Sequence, residues 1–180
     1  VEKGQPIIVD AIVVDLDGNP IENAALTWTT SDPSKSVVSN TGLFLASNPG
    51  MYTVSASYGG ATGTAAVSVF GHPFALRASP AQQTVPANGA TEVEITVEVV
   101  DLGGNRVANE NEVEITMEFE DSNGAVELDE TVLTVKDGVA VFVVTSTNSE
   151  GVTDELLFTA DDLQEDTAQI TTVDQIATGM

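Results

Sequence analysis

Apolar and polar residues alternate along most of this chain with a period of two. Val93, Ile95, Val97 and Val99 alternate with glutamate and threonine, and the segment 112–120 repeats the pattern with glutamate at four positions. Because successive side chains of a β-strand point to opposite faces, each segment carries one apolar face and one acidic face. Strands of this kind are typical of antiparallel sheets that pack on one side only.

Clusters of turn residues separate the predicted strands. Shorter strand candidates occur in the first half, at 26–30, 53–57 and 65–69. The clusters of Gly, Asn, Asp and Pro between strands include those at 17–19, 48–50, 58–60, 122–124, 137–138 and 150–151. These residues favour tight turns through left-handed backbone angles or side-chain hydrogen bonds. Short strands, closely spaced turns and no helical periodicity together predict an all-β chain built of sandwiches.

A nine-residue motif occurs twice in the chain. Val13–Ile21 reads VVDLDGNPI and Val99–Val107 reads VVDLGGNRV, so six of the nine positions are identical at an offset of 86 residues. Trp28 then falls where Met117 does, with three more residues in the second loop. A repeat on this scale predicts two copies of one architecture.

The distribution of charge and a cluster of glycine and proline indicate the boundary between the two copies. Residues 1–72 hold six acids and two bases, whereas residues 73–180 hold 22 acids and three bases. Glycine and proline interrupt the chain at 71–73, where the composition changes. We therefore expect two tandem domains, the first at 1–70 and the second at 71–180.

The net charge of −23, with 28 acidic residues against five basic ones, limits the partners. Nucleic acid and anionic membrane surfaces are excluded, because both are bound through lysine and arginine. The chain contains no apolar run of about 18 residues, so we expect no direct membrane insertion. The absence of cysteine excludes disulfides and thiol chemistry. The one histidine, His72, offers little for acid–base catalysis, so we predict that the chain is not an enzyme.

The order of the motifs resembles two groups of bacterial Ig-like domains. The first half resembles the second group in the segments Asp15–Ile21, Trp28–Asp32, Thr41–Leu43 and Pro49–Val54. The second half resembles the first group, the invasin and intimin type, in Ser79–Ala81, Pro86–Gly89, Ile95–Thr96, Asp101–Val107, Gly138–Ala140 and Thr159–Ala160. The resemblance implies two tandem Ig-like β-sandwiches of a bacterial surface or S-layer protein. It also implies a strand ahead of Gly4, where only three residues stand, so we expect the first domain to lack its first strand.

Carboxylate-rich loops are candidates for bound calcium, because hard cations take six to eight oxygen ligands. The candidate ligands are Asp15, Asp17 and Asn19 in the first half, and Asp161, Asp162, Glu165 and Asp166 in the second. The alternative for the first set is a hairpin turn, since Asp, Gly and Asn are turn residues. The alternative for the acidic strands is a solvated face, which also disfavours paired catalytic carboxylates.

We expect this chain to be a structural spacer or stalk module of a secreted or cell-surface bacterial protein, such as an S-layer protein or an adhesin shaft. Its partners would then be neighbouring domains of the same chain or like subunits. The alternative is a binding module, for homophilic adhesion or as an accessory domain of a carbohydrate-active enzyme with cell-surface glycans as ligands. Trp28 alternates in phase with Leu26 and Thr30, which predicts a core position and favours the spacer.

Overall fold

The computed structural model describes residues 1–174, which form fifteen β-strands and no helix. The chain divides into two compact units, Val1–Gly71 and a second that begins at His72. The last six residues of the second predicted domain, 175–180, lie outside the described residues. The predicted all-β class of tandem Ig-like sandwiches is confirmed.

The first unit consists of two three-stranded sheets. One has the order β1-β4-β3 and the other the order β2-β5-β6. The strands are β1 (Ile7–Ile8), β2 (Thr27–Thr30), β3 (Ser36–Val38), β4 (Leu43–Ala46), β5 (Gly50–Tyr58) and β6 (Ala61–Val69). Phe44 of β4 and Tyr52 of β5 meet in the core with their ring centroids 5.6 Å apart, so the two sheets share one apolar layer.

The second unit is larger, with a five-stranded sheet of order β12-β10-β14-β15-β8 and a four-stranded sheet of order β11-β13-β9-β7. Its strands are β7 (Ala75–Ser79), β8 (Gln82–Pro86), β9 (Glu92–Val100), β10 (Glu114–Asp121), β11 (Val126–Leu128), β12 (Val132–Thr134), β13 (Val139–Ser146), β14 (Thr153–Thr159) and β15 (Asp166–Val173). Phe142 and Phe158, one from each sheet, are fully buried with centroids 5.4 Å apart.

Alternation along β9 decides which residues enter the second core. Four aliphatic residues are buried to 1 % exposure or less, namely Val93, Ile95, Val97 and Val99. Glu92 before Val93 and Glu94 after it are exposed. β13 pairs antiparallel with β9 and brings Phe142 opposite Ile95. Burial of such side chains stabilises by about 1.5–3 kcal/mol each, so this strand anchors the sheet.

The end of β10 departs from the predicted alternation. Phe119 lies in phase with Ile115 and Met117, which are buried, yet its own side chain is 36 % exposed. The pairing of β10 with β14 shifts by one residue between Phe119 and Asp121. A shift of this kind bends the strand and re-aims its side chains, so the apolar face ends at Met117.

The second and last strands of the second unit, β8 and β15, run parallel beside each other. β8 pairs with β15 in the register Gln82 to Gln169 through Pro86 to Val173. The start of the first unit has the same arrangement on a smaller scale, because Glu2 forms a parallel bridge with Phe70 at the end of β6. The other pairs of named strands are antiparallel within the described residues, and Ala75 of β7 forms one more isolated parallel bridge, with Gln164.

We expect the two units to fold independently. The amide of Phe70 donates to Val1 O at 2.9 Å in the first unit, and the amide of Phe74 donates to Val100 O at 2.9 Å in the second. A chain of residues 73–180 should therefore give a folded product, and limited proteolysis of the whole chain should cut near Gly71. The first unit should be the less stable, because a domain of about 70 residues buries only ~60 % of its surface. Failure of 73–180 to fold, with one unfolding transition for the whole chain, would contradict this expectation.

Candidate functional site

The carboxylate of Asp15 organises the first acidic turn. Its Oδ1 atom accepts hydrogen bonds from the amides of Asp17 and Asn19, both at 2.9 Å. The amide of Gly18 donates to the Asp15 carbonyl at 3.1 Å, which closes the turn. Hydrogen bonds from Asn19 lower the pKa of the Asp15 carboxyl below its ordinary value, because they stabilise the ionised form. This geometry is that of a hairpin turn held by an aspartate side chain.

The second copy of the motif forms the same turn. Asp101 Oδ1 accepts from the amides of Gly103 and Asn105, both at 2.9 Å, and Gly104 donates to the Asp101 carbonyl at 2.8 Å. Gly103 stands where Asp17 stands in the first copy, so the turn forms without that carboxylate. The shared element of the repeat is therefore the turn-forming aspartate.

The four acidic residues of the second calcium candidate have different surroundings. Asp161 and Asp162 are exposed in the turn after β14, and Glu165 is exposed beyond it. Asp166 is engaged elsewhere, because its Oδ2 atom accepts from the amide of Ala78 in β7 at 2.8 Å. Among residues 1–174, the structure brings no three His, Cys, Asp or Glu side chains into a metal-binding group. Calcium at either set of residues stays a prediction.

Sequence reasoning missed the most buried carboxylate of the second unit. Asp154 in β14 is fully buried, and its two oxygens accept hydrogen bonds from the amides of Asn123 and Val126, the second at 2.9 Å. These bonds tie the loop between β10 and β11 to β14. The signal was present in the sequence, since Asp154 lies in phase with the core residues Leu156 and Phe158.

Trp28 lies at the rim of the first core. Its side chain is partly buried and packs against the cluster that contains Phe44 and Tyr52. A groove of about 420 Å³ opens beside it, lined by Asp10, Ala11, Ala24, Ala25, Leu26, Trp28, Asn40 and Thr41. The predicted core position is therefore a boundary position, with one side of the residue against the core and a groove on the other.

Within the part of the chain that the structure describes, no helix has the length and apolar character needed to cross a membrane. No family model and no curated protein matches the sequence.

Several solved structures are similar to this chain. A glycosyl hydrolase family 2 member from Bacteroides cellulosilyticus has 20 % identity and a TM-score of 0.53 over 72 % of this chain and 18 % of its own. Domains 4–9 of the surface layer protein SbsC have 18 % identity and a TM-score of 0.45, covering 95 % and 26 %. The Yersinia pseudotuberculosis adhesin InvE has 18 % identity and a TM-score of 0.44, covering 96 % and 56 %. This chain thus spans less than a fifth of the hydrolase's length, and that likeness supports the fold.

We expect Asp154→Ala to destabilise the second unit by about 2–4 kcal/mol, because it removes a fully buried acceptor and leaves the amides of Asn123 and the buried Val126 without it. Asp154→Asn keeps one acceptor oxygen and should cost less. The matched control is Asp121→Ala, which removes an exposed carboxylate whose one hydrogen bond to the same loop comes from Asn123 Nδ2 at 3.3 Å. Urea unfolding of the three variants measures the differences. Equal stabilities of Asp154→Ala and Asp121→Ala would refute the structural role of the buried carboxylate.

Proposed function

We propose that this chain is a structural spacer of a secreted or cell-surface bacterial protein, in which each domain transmits tension along the polypeptide. The observation that supports the proposal is the parallel pairing of β8 with the last strand, β15, in the second unit. A force that pulls the start of β8 away from the end of β15 pulls these two parallel strands along their length in opposite directions. It therefore loads all hydrogen bonds of that ladder together, whereas an antiparallel pair pulled at its open end separates one bond at a time.

The second domain has the longer parallel ladder. β8 and β15 pair over five residues, and the amides of Gln169 and Ala87 donate to Ala81 O and Val173 O at 2.9 Å. Pulling at the amino end of β8 and the carboxyl end of β15 shears this ladder. Such a domain lengthens only after the whole ladder breaks, which is the behaviour that a spacer under tension requires.

The outer surface suits a spacer that faces solvent. Glutamates lie on the outward positions of β9 and β10, and the second half of the chain carries most of the net charge. Like charges at high density keep neighbouring molecules apart and soluble. The edge strands of the second domain are three to five residues long, which limits unwanted strand pairing. Neighbouring domains of the same polypeptide, or like subunits, are the partners we propose.

Single-molecule pulling at the two chain ends tests the spacer function. The alternation of the ladder directs the amides of Gln83 and Val85 toward β15, and that of Thr84 away from it. Gln83→Pro should therefore lower the unfolding force of the second domain and its stability by about 1–3 kcal/mol. Thr84→Pro is the matched control and should leave the force unchanged. Equal forces for both variants and the unmodified chain would contradict a role for this ladder under tension.

Calcium binding remains part of the proposal for the second domain. Asp161 lines a groove of about 360 Å³ together with Glu112 and Glu114, so acidic residues of two segments border the same groove. Calcium should raise the melting temperature of this domain more than sodium chloride of equal ionic strength, because binding to the folded state adds to screening. The double variant Asp161→Asn with Asp162→Asn should lose the excess. Equal shifts in the two salts would make calcium a counterion only.

A binding module is the second candidate, and the groove beside Trp28 favours it. An aromatic face next to Asp10, Asn40 and Thr41 offers both stacking and hydrogen bonds to a sugar. Accessory domains beside carbohydrate-active enzymes would use such a surface to hold glycans.

Trp28 fluorescence separates the two candidates, since Trp28 is the single tryptophan. For a spacer, soluble oligosaccharides of cellulose, xylan and chitin should leave the emission spectrum unchanged. Trp28→Ala should cost about 2–3 kcal/mol, less than the 3–5 kcal/mol of a fully buried aromatic residue. A saturable spectral change with one oligosaccharide, lost on Asn40→Ala, would support glycan binding instead.

A further inference from the structure

The outer face of the sheet β1-β4-β3 in the first unit is aliphatic. Its inward side chains, among them Phe44, belong to the core, and a sheet that packs on one side only carries polar side chains on its other face. Here, cross-strand pairing instead places Ile8 opposite Leu43 and Val37 opposite Leu45. These four side chains are 69 %, 43 %, 60 % and 37 % exposed, in that order. We call this surface, formed by Ile8, Val37, Leu43 and Leu45, the aliphatic face.

At the first of these pairs, the equivalent position in the second unit holds a glutamate. The offset of 86 residues between the repeats aligns Ile8 of β1 with Glu94 of β9. Glu94 lies opposite Val143 of β13, as Ile8 lies opposite Leu43 of β4. Glu94 is exposed. An outward position of this sheet therefore accepts a charged residue without loss of the fold.

The second pair shows the same contrast. Glu127 of β11 lies opposite Thr145 of β13, as Val37 of β3 lies opposite Leu45 of β4. Both members of the pair in the second unit are polar, and Glu127 is exposed. The sandwich itself does not require aliphatic side chains at these outward positions. Their presence in the first unit therefore indicates a surface that is covered in an assembly.

The size of the aliphatic face fits a weak contact between copies. Its four side chains expose roughly 400 Å², about half of the ~800 Å² that each partner buries in a standard stable interface. A contact of this size gives weak pairing in dilute solution. It becomes effective where many copies are held side by side, because tethering raises their effective concentration.

Charge favours a second copy of this chain as the occupant. The aliphatic face holds no charged residue, and residues 1–72 carry six acids and two bases, against 22 and three for residues 73–180. Repulsion between copies is therefore weakest through the first unit. Lys35, which lies 3.1 Å from Asp32, precedes β3, and Asp10 follows β1, so opposite charges border opposite ends of the face. An antiparallel placement of two copies brings the lysine end of one over the aspartate end of the other.

We propose that the aliphatic face is a self-association surface, through which two copies of this chain pack sheet against sheet. The contact is isologous, because the same four residues meet on both copies. Stacked apolar sheet faces lie about 10 Å apart and interdigitate their side chains. The role of this contact rests on the proposed spacer function, for which it identifies the like subunit.

Equilibrium sedimentation of the purified chain measures the pairing. The average mass should rise from the 18.7 kDa of the monomer toward twice that value between about 10 μM and 1 mM protein. The double variant Ile8→Glu with Val37→Glu introduces the residue type of the second unit and should weaken the pairing at least tenfold. The matched control, Leu16→Glu with Met51→Glu, adds the same charge at two exposed apolar positions outside the face and should pair as the unmodified chain does.

A milder variant covers the case in which the double variant does not fold. Leu45→Thr introduces the residue type of position 145 and no charge, and it should weaken the pairing about threefold. The melting temperature of each variant reports whether the first unit is folded.

Three results would overturn the proposal. The first is a monomer at every concentration of the unmodified chain. The second is undiminished pairing of the folded double variant, or of Leu45→Thr in its place, which would assign the contact to another surface. The third is an equal loss of pairing in the control, which would assign the effect to added charge alone. Pulling on single chains measures the spacer function without pairing, so a failure of the one experiment is distinct from a failure of the other.

Discussion

One-sided burial is the constraint on which this structure depends. Polar residues occupy alternate positions of the long strands. A sheet of such strands therefore has one polar face that stays exposed to solvent and one apolar face that must be buried. Two such sheets must then face each other, and the fully buried pair of Phe142 and Phe158 joins them in the second unit. The same requirement in the first unit brings Phe44 against Tyr52.

Carboxylates take two roles in this fold, which differ in whether the side chain accepts hydrogen bonds from the backbone. Glutamates on the outward faces of β9 and β10 keep the exterior acidic. Asp15, Asp101 and Asp154 instead accept hydrogen bonds from backbone amides. A carboxylate that accepts two amides stabilises a loop that would otherwise leave those donors unpaired. The acidic composition is thus partly a surface property and partly a means of fixing loops.

The sequence predicted the strands and the repeat well, because both depend on local pattern. The turns at Asp15 and Asp101 follow from residue chemistry that acts over four positions. The pairing of β8 with β15 was not predictable in the same way, since it joins residues about 87 apart and nothing local sets its register. Phe119 was placed on the core face for the same reason, because the register shift against β14 is a long-range feature. The burial of Asp154 was recognisable from its alternation with Leu156 and Phe158, but the two amides that it binds lie about 30 residues away in the sequence.

In the proposed spacer, the two units bear tension with unequal means. In the second unit, five residue pairs link β8 to the last strand, β15, and β7 pairs with β9 in the other sheet. In the first unit, the linkage is Val1–Lys3, with Val1 and Lys3 donating to Ser68 O and Phe70 O. A ladder of fewer bonds breaks at a lower force, so in the proposed spacer we expect tension to open the first unit of this chain before the second.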